Sequence, residues 1–144
     1  MIGVDTNLLL YALHAGVGEH AAARAFMMEC GTRQDVVMSE LVLVELYVLL
    51  RNAKVFGREV PAAEAAGVVQ RFRHNPNWMV VENAPVMDEV WAYAARPGFA
   101  RRRLFDVRLA LTLQHHGVTR FATANVRDFE GLGFEKVWNP LEPN

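Results

Sequence analysis

The sequence predicts an α/β fold built on a central parallel β-sheet of four or five strands flanked by helices, and three observations predict it. Short apolar runs rich in β-branched residues recur along the chain, each ending in a polar or turn residue. Between them lie stretches with the i, i+3, i+4, i+7 apolar spacing of helices. Strands that alternate with helical segments form parallel sheets, because a parallel connection needs a crossover long enough to hold a helix. The 144 residues suit one domain, 1–144, and an apolar content of 52% supplies its core.

The first strand is Ile2-Gly3-Val4, which stops at Asp5, and a helix begins near Asn7 and runs to Leu13 before Gly16 and Gly18 break it. Asp5 has two readings. It caps that helix, a position that Asp, Thr and Asn all favour, or it presents a carboxylate at the strand's carboxyl end, where open parallel sheets bind ligands. A second helix spans about Glu19 to Cys30, with Gly31 as its stop. Val36-Val37-Met38 forms the second strand and Ser39 caps the next helix, whose Val42, Leu43, Leu46, Leu49 and Leu50 make a buried stripe. Glu45 lies beside that stripe. A carboxylate against a core is costly unless it is paired or coordinates a cation, so Glu45 either turns outward to Arg51 or Arg58 or faces a site.

Asn52 to Val60 reads as a connector, Pro61 opens a helix to about His74, and Asn75-Pro76-Asn77 is a turn. Trp78-Met79-Val80-Val81 is the third strand. Pro85 opens a helix to about Ala95, with Val86, Val90 and Tyr93 toward the core. Its second stripe, Met87, Trp91 and Ala94, suits either the core or an interface. Leu104 to Leu113 is a helix with Gly117 as its stop, and Asp106 falls in its first turn, where an acid complements the macrodipole. Phe121-Ala122-Thr123 is the fourth strand. Asn125 and Asp128 follow it, and Glu135 to Trp138 makes a short edge strand.

Several function classes are excluded or disfavoured. No apolar run approaches the roughly 18 residues of a membrane span, and the N-terminus lacks the basic region of a signal peptide. The single cysteine, Cys30, forms no internal disulfide and reads as a small helix-face residue, so a reduced, cytoplasmic setting is expected. Glycine-rich phosphate loops and zinc-type Cys/His spacings are absent. The net charge of −1 does not advertise nucleic-acid binding, yet Arg96, Arg101, Arg102, Arg103 and Arg108 surround a single acid, Asp106. That cluster is either a solvated loop or a phosphate-binding rim around an acidic site.

Each acid alone has an ordinary explanation. As a set, Asp5, Glu45, Asp106 and Asp128 all stand next to strand ends and can converge on one edge of a parallel sheet. Packed carboxylates do not all stay ionised without a cation. A hard divalent ion with oxygen ligands, Mg²⁺ or Mn²⁺, satisfies them and supports attack on phosphate. With four of its 16 acids neutralised, the chain carries more basic than acidic groups, and a polyanionic substrate becomes acceptable.

Four blocks in this order resemble the PIN-domain ribonucleases, and most of all the VapC-type toxins of toxin–antitoxin modules. They are Val4-Asp5-Thr6-Asn7, Ser39-Glu40 with Val44-Glu45-Leu46, Phe105-Asp106-Val107-Arg108-Leu109-Ala110, and Phe121-Ala122-Thr123-Ala124-Asn125-Val126-Arg127-Asp128-Phe129. The resemblance implies a PIN-like fold and an Mg²⁺- or Mn²⁺-dependent endoribonuclease. It implies an acidic metal site of Asp5, Glu45, Asp106 and Asp128, supported by the hydroxyls of Thr6 and Thr123. The last block departs from the family form, which has an acid two residues after the threonine. Here that position is Asn125 and the acid is Asp128, so either or both face the metal. Arg101, Arg102, Arg103 and Arg108 are the candidate RNA contacts. A cognate antitoxin and a homodimer are the implied protein partners. The competing expectations are a free-standing PIN nuclease in RNA processing or decay, and a non-catalytic binding module.

Overall fold

A computed structural model of the chain describes residues 1–143. The elements run β1 (Ile2–Val4), α1 (Thr6–Leu13), α2 (His20–Gly31), β2 (Val36–Ser39), α3 (Glu40–Leu50), α4 (Ala53–Phe56), α5 (Ala62–Arg73), β3 (Met79–Val81), α6 (Met87–Ala94), α7 (Arg103–His115), β4 (Arg120–Ala122), α8 (Val126–Phe129) and β5 (Lys136–Trp138). The strands form one parallel sheet in the order β3-β2-β1-β4-β5. The chain steps outward from β1 to β3, then returns to the far side of β1 and steps outward again. Strand order therefore reverses between β1 and β4. A crevice opens at such a switch point, outside the carboxyl ends of the two strands. Gly3 pairs with Phe121 and Val4 with Ala122, so the residues that follow, Asp5 and Thr123, emerge side by side.

Every residue of β1 is buried, as befits a central strand covered on both faces. Successive side chains point to opposite faces. A Cβ on Gly3 would meet Leu113 Cδ1 at 2.9 Å and Phe121 Cδ1 at 3.0 Å, so glycine at this point lets α7 press close against the strand. The helices pack in two contiguous groups, α1 to α5 and α6 to α8, and α7 also touches β2. The core between them is aliphatic, with Phe121 as its largest fully buried side chain.

Local chemistry sets the element ends. Ser39 caps α3 by accepting from the Leu41 N–H at 3.1 Å. Gly117, at φ 88°, ends α7, while Val118 N–H donates to the Leu113 carbonyl at 3.1 Å and Gly117 N–H to that of Gln114 at 3.0 Å. That is a Schellman closure, sealed by contact between buried Val118 and Leu113. One expectation needs correction. The stretch from Asn52 to Val60 is not a plain connector, since Asn52 caps the short α4 through the Lys54 N–H and Gly57 ends it at φ 86°. Of the two readings of the Met87 and Trp91 stripe, core burial falls away: Val86 and Val90 fill that role, and Trp91 remains 56% exposed.

Candidate active site

Asp5 is both a cap and a site residue. Its Oδ1 accepts from the Thr6 N–H at 2.7 Å as α1 begins. Its Oδ2 accepts from the Thr123 hydroxyl at 2.7 Å, a bond that joins the ends of β1 and β4. Thr123 Oγ1 in turn accepts from the Asn125 N–H at 3.0 Å, so one buried hydroxyl fixes the carboxylate and the turn into α8 together. Asn7 completes this frame. Its Oδ1 accepts from the Ala124 N–H at 3.2 Å and its Nδ2 lies 3.4 Å from Asp5 Oδ2. In the sequence the signal for Asn7 is its place in Asp5-Thr6-Asn7, where strand becomes helix.

Asp5, Glu45, Asp106 and Asp128 border one cavity of about 600 Å³. Asp5 arrives from the end of β1, Glu45 from the middle of α3, Asp106 from the first turn of α7 and Asp128 from α8. Burial, opposed by the Thr123 and Thr6 hydrogen bonds and reinforced by the charges of Glu45 and Asp128, pushes the Asp5 carboxyl up to about 6. Asp106 is pushed up to about 7, first by burial and then by Asp5, Asp128 and Glu45, with Arg103 opposing. Burial also raises Glu45, and the Thr6 hydroxyl opposes it. Asp5 and Asp106 thus feel the other carboxylates of the cavity. None of them is in an ion pair among the described residues; Arg51 pairs with Glu59 and Arg58 with Glu64, so neither serves Glu45.

These groups suit a hard cation. All the charged donors are carboxylate oxygens, and the buried Thr6 Oγ1 lies near enough to Glu45 to oppose its shift but completes no hydrogen bond of good geometry. Among the described residues no three acid, histidine or cysteine groups already stand in metal-ligating positions. The acids share a cavity rather than a preformed cage, and a cation held between them would offset the burial and the repulsion that together raise Asp5 and Asp106.

The remaining candidates divide. Asn125 and Asp128 both border the cavity, and it is the Asp128 charge that acts on Asp5 and Asp106. Arg102 and Arg108 border it as well, whereas Arg101 does not. Arg103 turns away: its Nη2 donates to the carbonyls of Asp128 at 3.3 Å and Glu130 at 3.5 Å, tying α7 to α8. Tyr11, Leu41, Val44 and Leu49 give the cavity an apolar wall beside Glu45. Cys30 is buried, and burial pushes its thiol up to about 11, well away from a nucleophile's range.

Residues 2–135 match the family described as the PIN domain. Ribonuclease VapC24 of Mycobacterium tuberculosis is 57% identical over 141 residues, covering 98% of this chain and 97% of that protein. The fold is similar to that of Mycobacterium tuberculosis VapC20, a sarcin-ricin loop cleaving toxin, with a TM-score of 0.68, 20% identity, and coverage of 93% of this chain and 96% of that one. It is also similar to a chain of a toxin–antitoxin complex from Klebsiella pneumoniae, with a TM-score of 0.58, 20% identity, and coverage of 99% and 100%. Parallel sheet, acid-lined switch point and near-complete similarity agree: the chain belongs to the PIN-domain family, among its VapC ribonucleases.

Proposed function

We propose that the chain is a Mg²⁺- or Mn²⁺-dependent endoribonuclease that acts as the toxin of a type II toxin–antitoxin module in the cytoplasm. The observation that carries this is the convergence of four carboxylates without a cationic partner on one cavity, two of them raised to about 6 and 7. Asp5 and Asp106 would hold the ion, which when bound would supply neutralisation of the acids, a lower pKa for water and stabilisation of charge on the phosphodiester under attack. Glu45 and Asp128 orient the attacking water and take its proton on a carboxylate oxygen. Thr123 keeps Asp5 aimed, and Arg102 and Arg108 hold the RNA backbone. An antitoxin segment blocks the enzyme by covering the apolar wall and placing a basic side chain among the acids. The outward stripe of Met87 and Trp91 supplies a face for a second copy.

RNA cleavage by Asp5→Asn and Asp106→Asn, each with Mg²⁺ or Mn²⁺ present, tests the site. Both variants are expected to lose activity, and wild-type rates in both refute the mechanism. A short upstream gene encoding a DNA-binding protein that silences the cleavage separates the toxin from a free-standing nuclease.

A further inference from the structure

Phe105 is the most exposed large apolar side chain among the described residues, at 76%, yet it is no stray surface residue. It borders the acid cavity and immediately precedes Asp106. Helix geometry sets its neighbours. Arg102 is the first cap of α7 with helical backbone angles, and Phe105 and Arg108 follow at intervals of three. Side chains three apart on a helix are adjacent, with about 5–6 Å between their Cβ atoms. The phenyl ring therefore stands between two arginines, all three border the cavity, and neither arginine is in an ion pair among the described residues.

An aromatic face set between two cations fits a chain in which bases alternate with phosphates. Unpaired nucleic acid is bound by that pairing of stacking with positive charge. We infer that Phe105 forms a nucleobase subsite, stacking an unpaired base beside the scissile phosphate while Arg102 and Arg108 engage the phosphates on either side. The inference rests on the ribonuclease reading and names the residue that would hold a base beside the cut. A base inside a duplex is already stacked and offers no free face, so the subsite takes an unpaired base. The cavity, about 600 Å³, has room for a nucleotide.

The other occupant of such a wall is an apolar peptide, which needs the bulk of Phe105 but not its ring. The substitutions F105Y, F105L and F105A separate the two. Short single-stranded RNAs carrying 2-aminopurine at successive positions are titrated with the full-length protein in EDTA, where stacking quenches emission, and the same RNAs are then cut with Mg²⁺ present. Wild type and F105Y are expected to quench at one position. F105L and F105A are expected to lose the quenching and to bind on the order of tenfold more weakly. Annealing the RNA to its complement is expected to remove the difference between variants. F105L behaving as wild type overturns the inference, whatever F105A does, because bulk then suffices. Wild type that stacks the base but cuts nothing sinks the ribonuclease reading and leaves the subsite standing. The ring projects into solvent, so unchanged circular dichroism is expected for all three variants.

Discussion

Asp5 works against the stability of the fold that holds it, and Asp5→Asn is expected to raise the melting temperature of the metal-free protein. The carboxyl ionises at its ordinary 3.8 in the unfolded chain but at about 6 when folded, because burial outweighs its hydrogen bonds. The residue is 8% exposed, so solvent does little to screen the effect. Well below pH 3.8 both states hold the proton and the group is neutral to stability. Between 3.8 and about 6 the folded state binds more protons, so stability falls as pH rises, and above that range the penalty is complete. At about 1.36 kcal/mol for each tenfold change in acidity, the penalty comes to about 3 kcal/mol. In a chain of this length that is roughly 5–10 °C. Asparagine keeps the acceptor that caps α1 and removes the charge. Thermal melts in EDTA from pH 4 to pH 8 should therefore show the two proteins converging at pH 4 and parting by pH 7, with the variant more stable. Raised Asp106 carries the wild type's decline on toward pH 7. A gap that is the same at every pH, or a wild type that is the more stable at pH 8, refutes the reasoning. Saturating Mg²⁺ should narrow the gap, since the ion binds the charged site.

Thr123→Val removes the 2.7 Å bond to Asp5 and the acceptor for Asn125; a loss of about 1.5–3 kcal/mol in denaturant titrations and a fall in kcat are expected, with Thr123→Ser restoring both. Gly3→Ala forces a Cβ against Leu113 and Phe121; it should cost about 1–3 kcal/mol and slow cleavage as well, because α7 carries Asp106. EDTA should abolish cleavage, and Mg²⁺ or Mn²⁺ restore it while adding about 2.7 kcal/mol of stability at a hundredfold excess over Kd, read as a higher melting temperature. Trp91→Ala should convert dimer to monomer in size-exclusion chromatography if the α6 stripe joins two copies, with no change in cleavage rate per chain.

That Asp5, Glu45, Asp106 and Asp128 share one cavity was legible because Asp5 and Asp128 follow strands and Glu45 and Asp106 break apolar helix patterns beside the sheet. The five strands were legible because buried parallel strands read as short apolar runs. Strand order was not, and the role of Asn7 depends on it. Its partners Thr123 and Ala124 lie 116 and 117 residues away, and only the adjacency of β1 and β4 brings them together. Arg103 looks like Arg101 and Arg102 in the sequence, and only the fold reveals the α8 carbonyls under its guanidinium. The four residues of α4 are too few to show a period. The outward turn of Trp91 is likewise invisible locally, since α6 has two apolar stripes and the packing of Val90 decides which one goes inside.

The bond from Thr123 to Asp5 closes a span of 118 residues. During synthesis the strand ending at Asp5 leaves the ribosome well before Thr123 and Asp128 do. A nascent chain therefore cannot assemble the acid cluster until those late residues have followed.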